Sequence, residues 1–166
     1  MLFREATIDD LPGIVEIYNA TIPSQQVTAD THPVSVDSKI PWFKNHNTTN
    51  RPLWVVEETE TKKVIGWFGL QDFYGRPAYK GTAEFSLYIT AEQRTKGIGK
   101  KILNFLIEKC PLLGIHTLLG FIFEQNESML ALCLKMGFEE WGHLHNVALF
   151  EDQYCSVKIL GLKINS

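Results

Sequence analysis

The stretch QRTKGIGKKIL (residues 93–103) brings four cationic side chains and two glycines together in one short run. It follows the alternating segment TAEFSLYIT (82–90) and leads into apolar residues at helical spacing, which predicts a strand, a short loop and a helix beginning near Gly97. The N-terminus of a helix has unpaired amide groups and the positive end of the helix dipole. Glycine lets the backbone approach a ligand closely. The stretch therefore predicts a site for an anionic group.

The glycine spacing excludes the two commonest nucleotide-binding loops. The Walker A pattern requires Gly-Lys-Ser/Thr at its end, and that ending is absent. The dinucleotide fingerprint fails because Ile102 stands where its third glycine would be. The pattern that remains is Arg-x-x-Gly-x-Gly, from Arg94 to Gly99. Taken alone, the loop is equally compatible with an ordinary solvated helix start that carries surface cations.

Composition narrows the classes of protein. At 166 residues, 45% hydrophobic and 21% charged, the chain is expected to form one domain, residues 1–166. A net charge of −3 argues against a broad nucleic-acid-binding surface. The charged amino terminus and the lack of eighteen consecutive apolar residues predict neither a signal peptide nor a membrane span. Three widely spaced cysteines are typical of reduced thiols, so we expect a cytoplasmic protein.

The order of predicted elements is strand, two helices, three strands, helix, strand, helix and two strands, which indicates a mixed α/β sheet in one domain. Thr7 and Asp10 form a capping-box pattern before the first helix. The second helix is predicted to begin near Ser35, although Pro41 makes that start ambiguous. The apolar run HTLLGFIFE (116–124) predicts a strand buried on both faces. Two last strands are predicted around 138–150 and 153–164.

In this setting, the loop resembles the acetyl-CoA pyrophosphate loop of the GNAT superfamily of N-acetyltransferases. Over nearly its whole length the chain resembles the phosphinothricin acetyltransferase family. The segments that carry the resemblance are EIYNATI (16–22), PWF (41–43), GRPAY (75–79), AEFSLYI (83–89), QRTKGIG (93–99) and NESMLALCLKMGF (126–138). The resemblance implies the single-domain GNAT fold, a mixed and mostly antiparallel sheet flanked by helices. It also implies a homodimer and transfer of an acetyl group from acetyl-CoA to the primary amine of a small amino-acid-like substrate.

The resemblance assigns a role in binding the cofactor to the end of the fourth predicted strand, the loop after it and the start of the last helix. Main-chain groups of the strand and the side chain of Asn126 match family contacts to the pantetheine arm, although Asn126 is also compatible with a plain N-cap. The full set of implied cofactor contacts is Leu87, Tyr88, Ile89, Arg94, Thr95, Lys96, Gly97, Ile98, Gly99, Lys100 and Asn126.

Glu84 matches the glutamate to which the family's general-base role is assigned. Six strand steps separate Glu84 from Thr90, about 20 Å at roughly 3.3 Å per residue, which is comparable to an extended pantetheine arm. The backbone amides of Tyr88 or Ile89 are candidates to stabilise the oxyanion. On the residue pattern alone, Glu84 could equally be a solvent-facing strand carboxylate or one half of an ion pair. Tyr154 or solvent could protonate the departing thiolate, and Cys133 is expected to be a packing residue.

The acceptor side of the site is expected to involve Arg76, Tyr79 and Thr28. Arg76 could clamp an oxyanion of the substrate or could brace its own loop. Two departures from the family pattern concern this side: Thr28 is followed by Ala29 rather than Phe, and Tyr154 precedes Cys155 rather than Asp. A missing pocket phenylalanine should reshape the acceptor site, which argues against phosphinothricin itself and leaves methionine sulfoximine-like amino-acid analogues or another small primary amine.

The sequence is also compatible with two other functions and with one other type of site. The chain could acetylate the N-terminus of a peptide or protein, or it could be a non-catalytic acyl-CoA-binding sensor. His143 and His145 alternate on one predicted strand, a spacing compatible with a metal pair. No cysteine or carboxylate completes a convincing ligand set in the sequence, so we expect no metal, and we expect no nucleic-acid or membrane partner.

Overall fold

The computed structural model describes residues 1–165. A seven-stranded sheet in the order β1-β2-β3-β4-β5-β7-β6 forms the middle layer. The strands are β1 Leu2–Glu5, β2 Leu53–Glu57, β3 Val64–Asp72, β4 Thr82–Ile89, β5 Thr117–Phe123, β6 Glu139–Phe150 and β7 Gln153–Lys163. The α-helices are α1 Leu11–Thr21, α2 Val36–Asn45, α3 Ile98–Lys109 and α4 Glu127–Lys135. The predicted element order is confirmed, including both C-terminal strands.

Five of the six strand pairs are antiparallel, and only β4 and β5 run parallel. The predicted mixed and mostly antiparallel sheet is therefore confirmed. The parallel pair is short: residues 82–84 of β4 pair with residues 117–119 of β5. Beyond Glu84 and Leu119 the two strands separate, while β4 stays paired with β3 as far as Ile89. A gap therefore opens in the middle of the sheet.

Local sequence signals account for most helix boundaries. The Thr7–Asp10 capping box is present, but it caps a short 3₁₀ turn that leads into α1. The Ser35 hydroxyl caps α2, which continues through Pro41. Gly97 adopts a left-handed conformation, with φ 79°, immediately before α3. Gly137, with φ 96°, follows α4, where only glycine adopts such a conformation readily.

Apolar side chains cover both faces of the sheet, and the alternation along β4 decides which side each residue serves. Phe85 and Leu87 belong to the larger core, which α3 and α4 cover. On the opposite face, α1 packs Ile14 and Ile17 against Trp67 in a smaller core. Glu84, Ser86 and Tyr88 point to this second face, as the sequence alternation predicted.

The prediction that β5 is buried on both faces is wrong at one residue. Phe121 is 38% exposed, while its neighbours on the strand are buried. The exposure follows from the separation of β4 and β5, because Phe121 lies in the part of β5 that has lost β4 as a neighbour. Its ring stacks instead on Phe73, with 6.4 Å between ring centroids.

The buried ring of Phe68 joins β1, β2 and α3. Phe68 is fully buried, and its ring lies 5.1 Å from Phe3, 5.3 Å from Trp54 and 5.7 Å from Phe105, centroid to centroid. We expect Phe68→Ala to lower the free energy of unfolding by about 3–5 kcal/mol, because lost burial and a residual cavity add together. Urea denaturation measures this loss.

Leu112→Ala is the control for this prediction. Leu112 is 80% exposed, so its truncation should change the free energy of unfolding by no more than about 0.5 kcal/mol. Equal losses in the two variants would contradict the placement of Phe68 at the centre of the core.

Candidate active site

Glu84 lies in a cavity of about 300 Å³ between the sheet and helices α1 and α2. Strand alternation directs its side chain, together with those of Ser86 and Tyr88, toward the two helices. The cavity is lined by Ile14, Val15, Tyr18, Val34, Lys39, Trp42, Trp67, Gln71, Glu84, Ser86 and Tyr88. A half-buried carboxylate in a cavity lined by aromatic, aliphatic and polar side chains is a candidate for proton transfer.

The Glu84 carboxyl group has an environment that makes it a better base than an exposed glutamate. Burial raises its pKa above the ordinary value, and a hydrogen bond from the Gln71 side chain partly offsets this rise. Gln71 lies directly opposite Glu84 in the β3–β4 register, so the strand pairing itself positions this donor. The arrangement holds one carboxylate oriented and ready to accept a proton.

Stacked and edge-to-face aromatic rings form the floor of the cavity. Tyr88 stacks on Trp67 at 4.5 Å, and Tyr18 meets Tyr88 edge-on at 5.2 Å. The Tyr18 hydroxyl bonds to Thr28 and donates to the Asp30 carboxylate. Burial, together with Asp30, raises the pKa of Tyr18 to about 12, and burial also raises the pKa of Tyr88. Both phenols therefore keep their protons at neutral pH and can donate hydrogen bonds.

Tyr88 connects the cavity to the gap between β4 and β5. It lines the cavity, the gap itself and a groove of about 370 Å³ that runs on to the loop before α3. Beyond Glu84, the edge of β4 that faces the gap has no strand partner among residues 1–165. Main-chain groups of Leu87 and Ile89, which point to that edge, can therefore bond to an extended ligand, whereas those of Tyr88 pair with β3.

The loop at the far end of the groove has the backbone conformation expected of an anion site. Thr95 and Gly97 both have positive φ values, 63° and 79°, around the start of α3. Such alternation turns successive amide groups toward one point, beside the positive end of the helix dipole. The predicted contacts that line this groove are Leu87, Tyr88, Ile89, Arg94, Thr95, Gly97, Ile98, Gly99, Lys100 and Asn126. Lys96 is exposed and lies outside the groove lining.

Asn126 is a helix N-cap that also lines the groove. It is the N-cap of α4, where its side-chain oxygen accepts a hydrogen bond from the Met129 amide at 3.4 Å. It also lines the gap and the groove. A helix N-cap that faces the groove has a fixed orientation, so its amide is available to a ligand at little entropic cost.

The residues predicted on the acceptor side lie apart from the Glu84 cavity. Arg76 and Tyr79 are exposed, in the loop between β3 and β4, and neither is among the described residues that line the cavity. Tyr79 packs edge-on against Phe73 and Tyr74. Thr28 is buried; it bonds to the Tyr18 hydroxyl and lies beside Tyr88, and both tyrosines line the cavity.

Sequence reasoning missed Lys39 and Gln71, which line the cavity. Lys39 precedes Trp42 by three residues on α2, which places the two on one helix face, and this spacing was the available signal. Gln71 becomes significant only through its register with Glu84. Trp67 is buried and also lines the cavity; its indole N–H has no hydrogen-bond partner among residues 1–165.

Other predicted residues have simpler surroundings. Cys133 is fully buried, as expected of a packing residue, and burial raises the pKa of its thiol to about 12. Tyr154 is 62% exposed and lies outside the lining of the Glu84 cavity.

The His143 and His145 rings are 4.1 Å apart, but no group of three metal-ligating side chains occurs among residues 1–165. Within the same residues, no helix is long and apolar enough to cross a membrane.

The family model of the acetyltransferase (GNAT) domain matches residues 1–139 of this chain. The chain is 43% identical, over 99% of its length and 100% of the relative, to a Bacillus subtilis protein provisionally named as the phosphinothricin acetyltransferase YwnH. It is 30% identical to the L-methionine sulfoximine/L-methionine sulfone acetyltransferase of Pseudomonas aeruginosa, covering 87% of this chain and 83% of that one.

A solved structure extends the comparison to three dimensions. The phosphinothricin acetyltransferase of Sinorhizobium meliloti, in complex with acetyl-CoA, superposes with a TM-score of 0.92 at 27% identity, over 99% of this chain and 88% of that one. The resemblance to the phosphinothricin acetyltransferase family that the sequence segments indicated is thus confirmed.

The environment of Glu84 predicts its titration. In carboxyl-detected NMR the Glu84 signal should titrate above 4.5, the ordinary value for glutamate, because burial disfavours the ionised form. Gln71→Leu should move the midpoint further up, since the hydrogen bond that favours the carboxylate is lost. A Glu84 midpoint that does not respond to Gln71→Leu would contradict the assigned hydrogen bond.

Proposed function

Because this chain belongs to the acetyltransferase (GNAT) family, we propose that it transfers the acetyl group of acetyl-CoA to the primary amine of a small amino-acid-like acceptor. The observation that carries the proposal is the position of Glu84. Glu84 borders both the cavity and the gap that leads to the proposed anion-binding loop. An acceptor in the cavity and a thioester in the gap would therefore meet beside one base.

The groove and its loop supply the proposed acetyl-CoA site. The amides around Thr95 and Gly97 would receive the pyrophosphate, and Arg94 and Lys100 would add charge attraction. The free edge of β4 would bond to the pantetheine arm, with Asn126 on the other side of the groove. The Sinorhizobium meliloti protein in complex with acetyl-CoA supports this choice of donor.

The proposed chemistry needs one base and one oxyanion site. The amine nitrogen attacks the thioester carbonyl, its proton passes to Glu84 directly or through a water, and the carbon–sulfur bond breaks. The backbone amide of Ile89, which faces the free edge of β4, would stabilise the oxyanion, whereas the amide of Tyr88 pairs with β3. The CoA thiolate leaves toward the open gap, where solvent can protonate it.

Two features favour a small acceptor and a working catalyst. The cavity of about 300 Å³ is the size of a small-molecule site, and this favours an amino-acid-like amine over a peptide N-terminus. A base with a raised pKa beside the donor groove favours catalysis over acyl-CoA sensing alone. The names of the Bacillus subtilis and Pseudomonas aeruginosa relatives support acceptors of the phosphinothricin or methionine sulfoximine type.

We also propose a cytoplasmic homodimer. The three cysteines are free, two of them in the buried core, which is typical of a reducing compartment. Strand β6 lies at one end of the sheet and exposes apolar side chains, among them Leu144, Val147 and Leu149. Exposed apolar residues on an edge strand favour contact with a second copy.

The two halves of the proposed site can be separated with two variants. Glu84→Gln should bind acetyl-CoA as the wild type does and lose about 100-fold or more in kcat at pH 7.5, since a general base contributes about 10²–10⁴. Gly97→Ala should weaken acetyl-CoA binding by about 5- to 30-fold, because a left-handed conformation costs a non-glycine residue roughly 1–2 kcal/mol. Calorimetry and a thiol-release assay measure the two effects.

Gly13→Ala is the control for the loop variant, since an added Cβ at Gly13 has nothing within 4 Å and φ there is not positive. Absence of acetyl-CoA binding by the wild type would overturn the donor assignment. Full turnover by Glu84→Gln would overturn the role of the base.

The dimer prediction is tested by mass in solution. Sedimentation velocity should give twice the chain mass for the wild type and the single-chain mass for Leu149→Lys, because a charge would be buried in the contact. Leu112→Lys changes an exposed leucine elsewhere and should stay dimeric. A monomeric wild type would contradict the proposal.

A further inference from the structure

The charged residues that line the Glu84 cavity number only two, one of each sign. Among the described lining residues, Glu84 carries the negative charge and Lys39 the positive charge. The remaining lining is aromatic, aliphatic or neutral polar. Such a cavity is complementary to a zwitterion, a molecule with an amine at one end and an anionic group at the other.

The Lys39 side chain packs against the rings of Tyr18 and Trp42. It lies on α2, half-buried, with its ammonium 5.4 Å from the centre of the Tyr18 ring and 6.0 Å from that of Trp42. A free lysine side chain has about 2 kcal/mol of rotamer entropy that binding a ligand would reduce. Contact with the two ring faces already restricts the Lys39 side chain. The ammonium is thus largely held in place before any acceptor arrives.

The Lys39 ammonium has no carboxylate partner within 4.0 Å among residues 1–165. Asp30, an acidic residue near the Tyr18 ring, accepts a hydrogen bond from the Tyr18 hydroxyl. Ring faces attract a cation but accept its N–H groups only weakly, so the three donors of Lys39 keep most of their capacity for an anion.

We propose that Lys39 binds the carboxylate of the acceptor and so makes the enzyme select α-amino acids over simple amines. This inference rests on the proposed acetyl transfer and assigns its acceptor-selecting residue. Arg76 is exposed outside the described cavity lining, so Lys39 is the cation that the fold brings to Glu84. With the carboxylate at Lys39, the amine of the same molecule is directed toward Glu84.

The test compares a matched pair of acceptors, methionine sulfoximine and the same molecule without its carboxylate, in a thiol-release assay. Lys39→Met keeps the length of the side chain and removes its charge. We expect KM for methionine sulfoximine to rise about 10- to 100-fold with kcat little changed, since a charge-assisted bond present in both ground and transition states is lost. KM for the decarboxylated amine should stay within about 3-fold, and Lys39→Arg should restore most of the selectivity.

Lys44→Met is the matched control, because Lys44 lies on the same helix but is exposed and outside the described cavity lining. It should leave the ratio of the two acceptors unchanged. Acetyl-CoA binding measured by calorimetry should be equal in the wild type and in both lysine-to-methionine variants, which establishes that each variant is folded.

Each other outcome overturns the inference. Equal losses with both acceptors would mean that Lys39 only holds α2 against Tyr18. An unchanged ratio in Lys39→Met, with the wild type active, would remove Lys39 from acceptor binding and leave the acetyl transfer standing. A wild type that binds acetyl-CoA but acetylates neither acceptor, nor other amino acids, would overturn the proposed acceptor class together with the role of Lys39.

Discussion

The parallel pairing of β4 with β5 ends at Glu84 and Leu119, and the rest of the site depends on this interruption of the sheet. A strand that loses its neighbour leaves backbone donors and acceptors that must find other partners. Here they face a groove that continues to the loop before α3, the proposed anion site. The same strand holds Glu84 at the point where the gap begins. One interruption therefore provides both the proposed ligand contacts and the position of the proposed base.

Function and stability make opposite demands on the Glu84 face of the sheet. The larger core is well covered by α3 and α4, with fully buried rings such as Phe68. The opposite face carries a carboxylate whose folded-state pKa is raised by burial. Because folding favours the protonated Glu84, this group contributes to the free energy of unfolding. The contribution is fully present below pH 4.5 and is lost as pH rises through the folded-state pKa. At neutral pH the ionised base therefore costs stability, which the larger core offsets.

Much of the architecture was predictable because its signals are local. Alternation along β4 correctly separated Glu84, Ser86 and Tyr88 from Phe85 and Leu87, since strand periodicity does not depend on distant residues. The boundary of α3 at Gly97 and the stop of α4 at Gly137 followed from glycine conformations. The exposure of Phe121 was not predictable, because it depends on where β4 leaves β5.

By itself, the sequence determined the order of the elements, the two faces of β4, the glycine-rich loop before α3 and the family to which these segments belong. Each of these is written in residues close together in the chain, through backbone periodicity and conformational preference. Only the tertiary structure decided which side chains surround Glu84. Gln71 reaches it through strand register, and Lys39 and Tyr18 reach it through the packing of two helices on the sheet. Arg76, which sequence matching favoured, lies outside the described cavity lining because the loop that carries it packs elsewhere. Such placements arise from contacts between distant segments, and no local pattern in the chain specifies them.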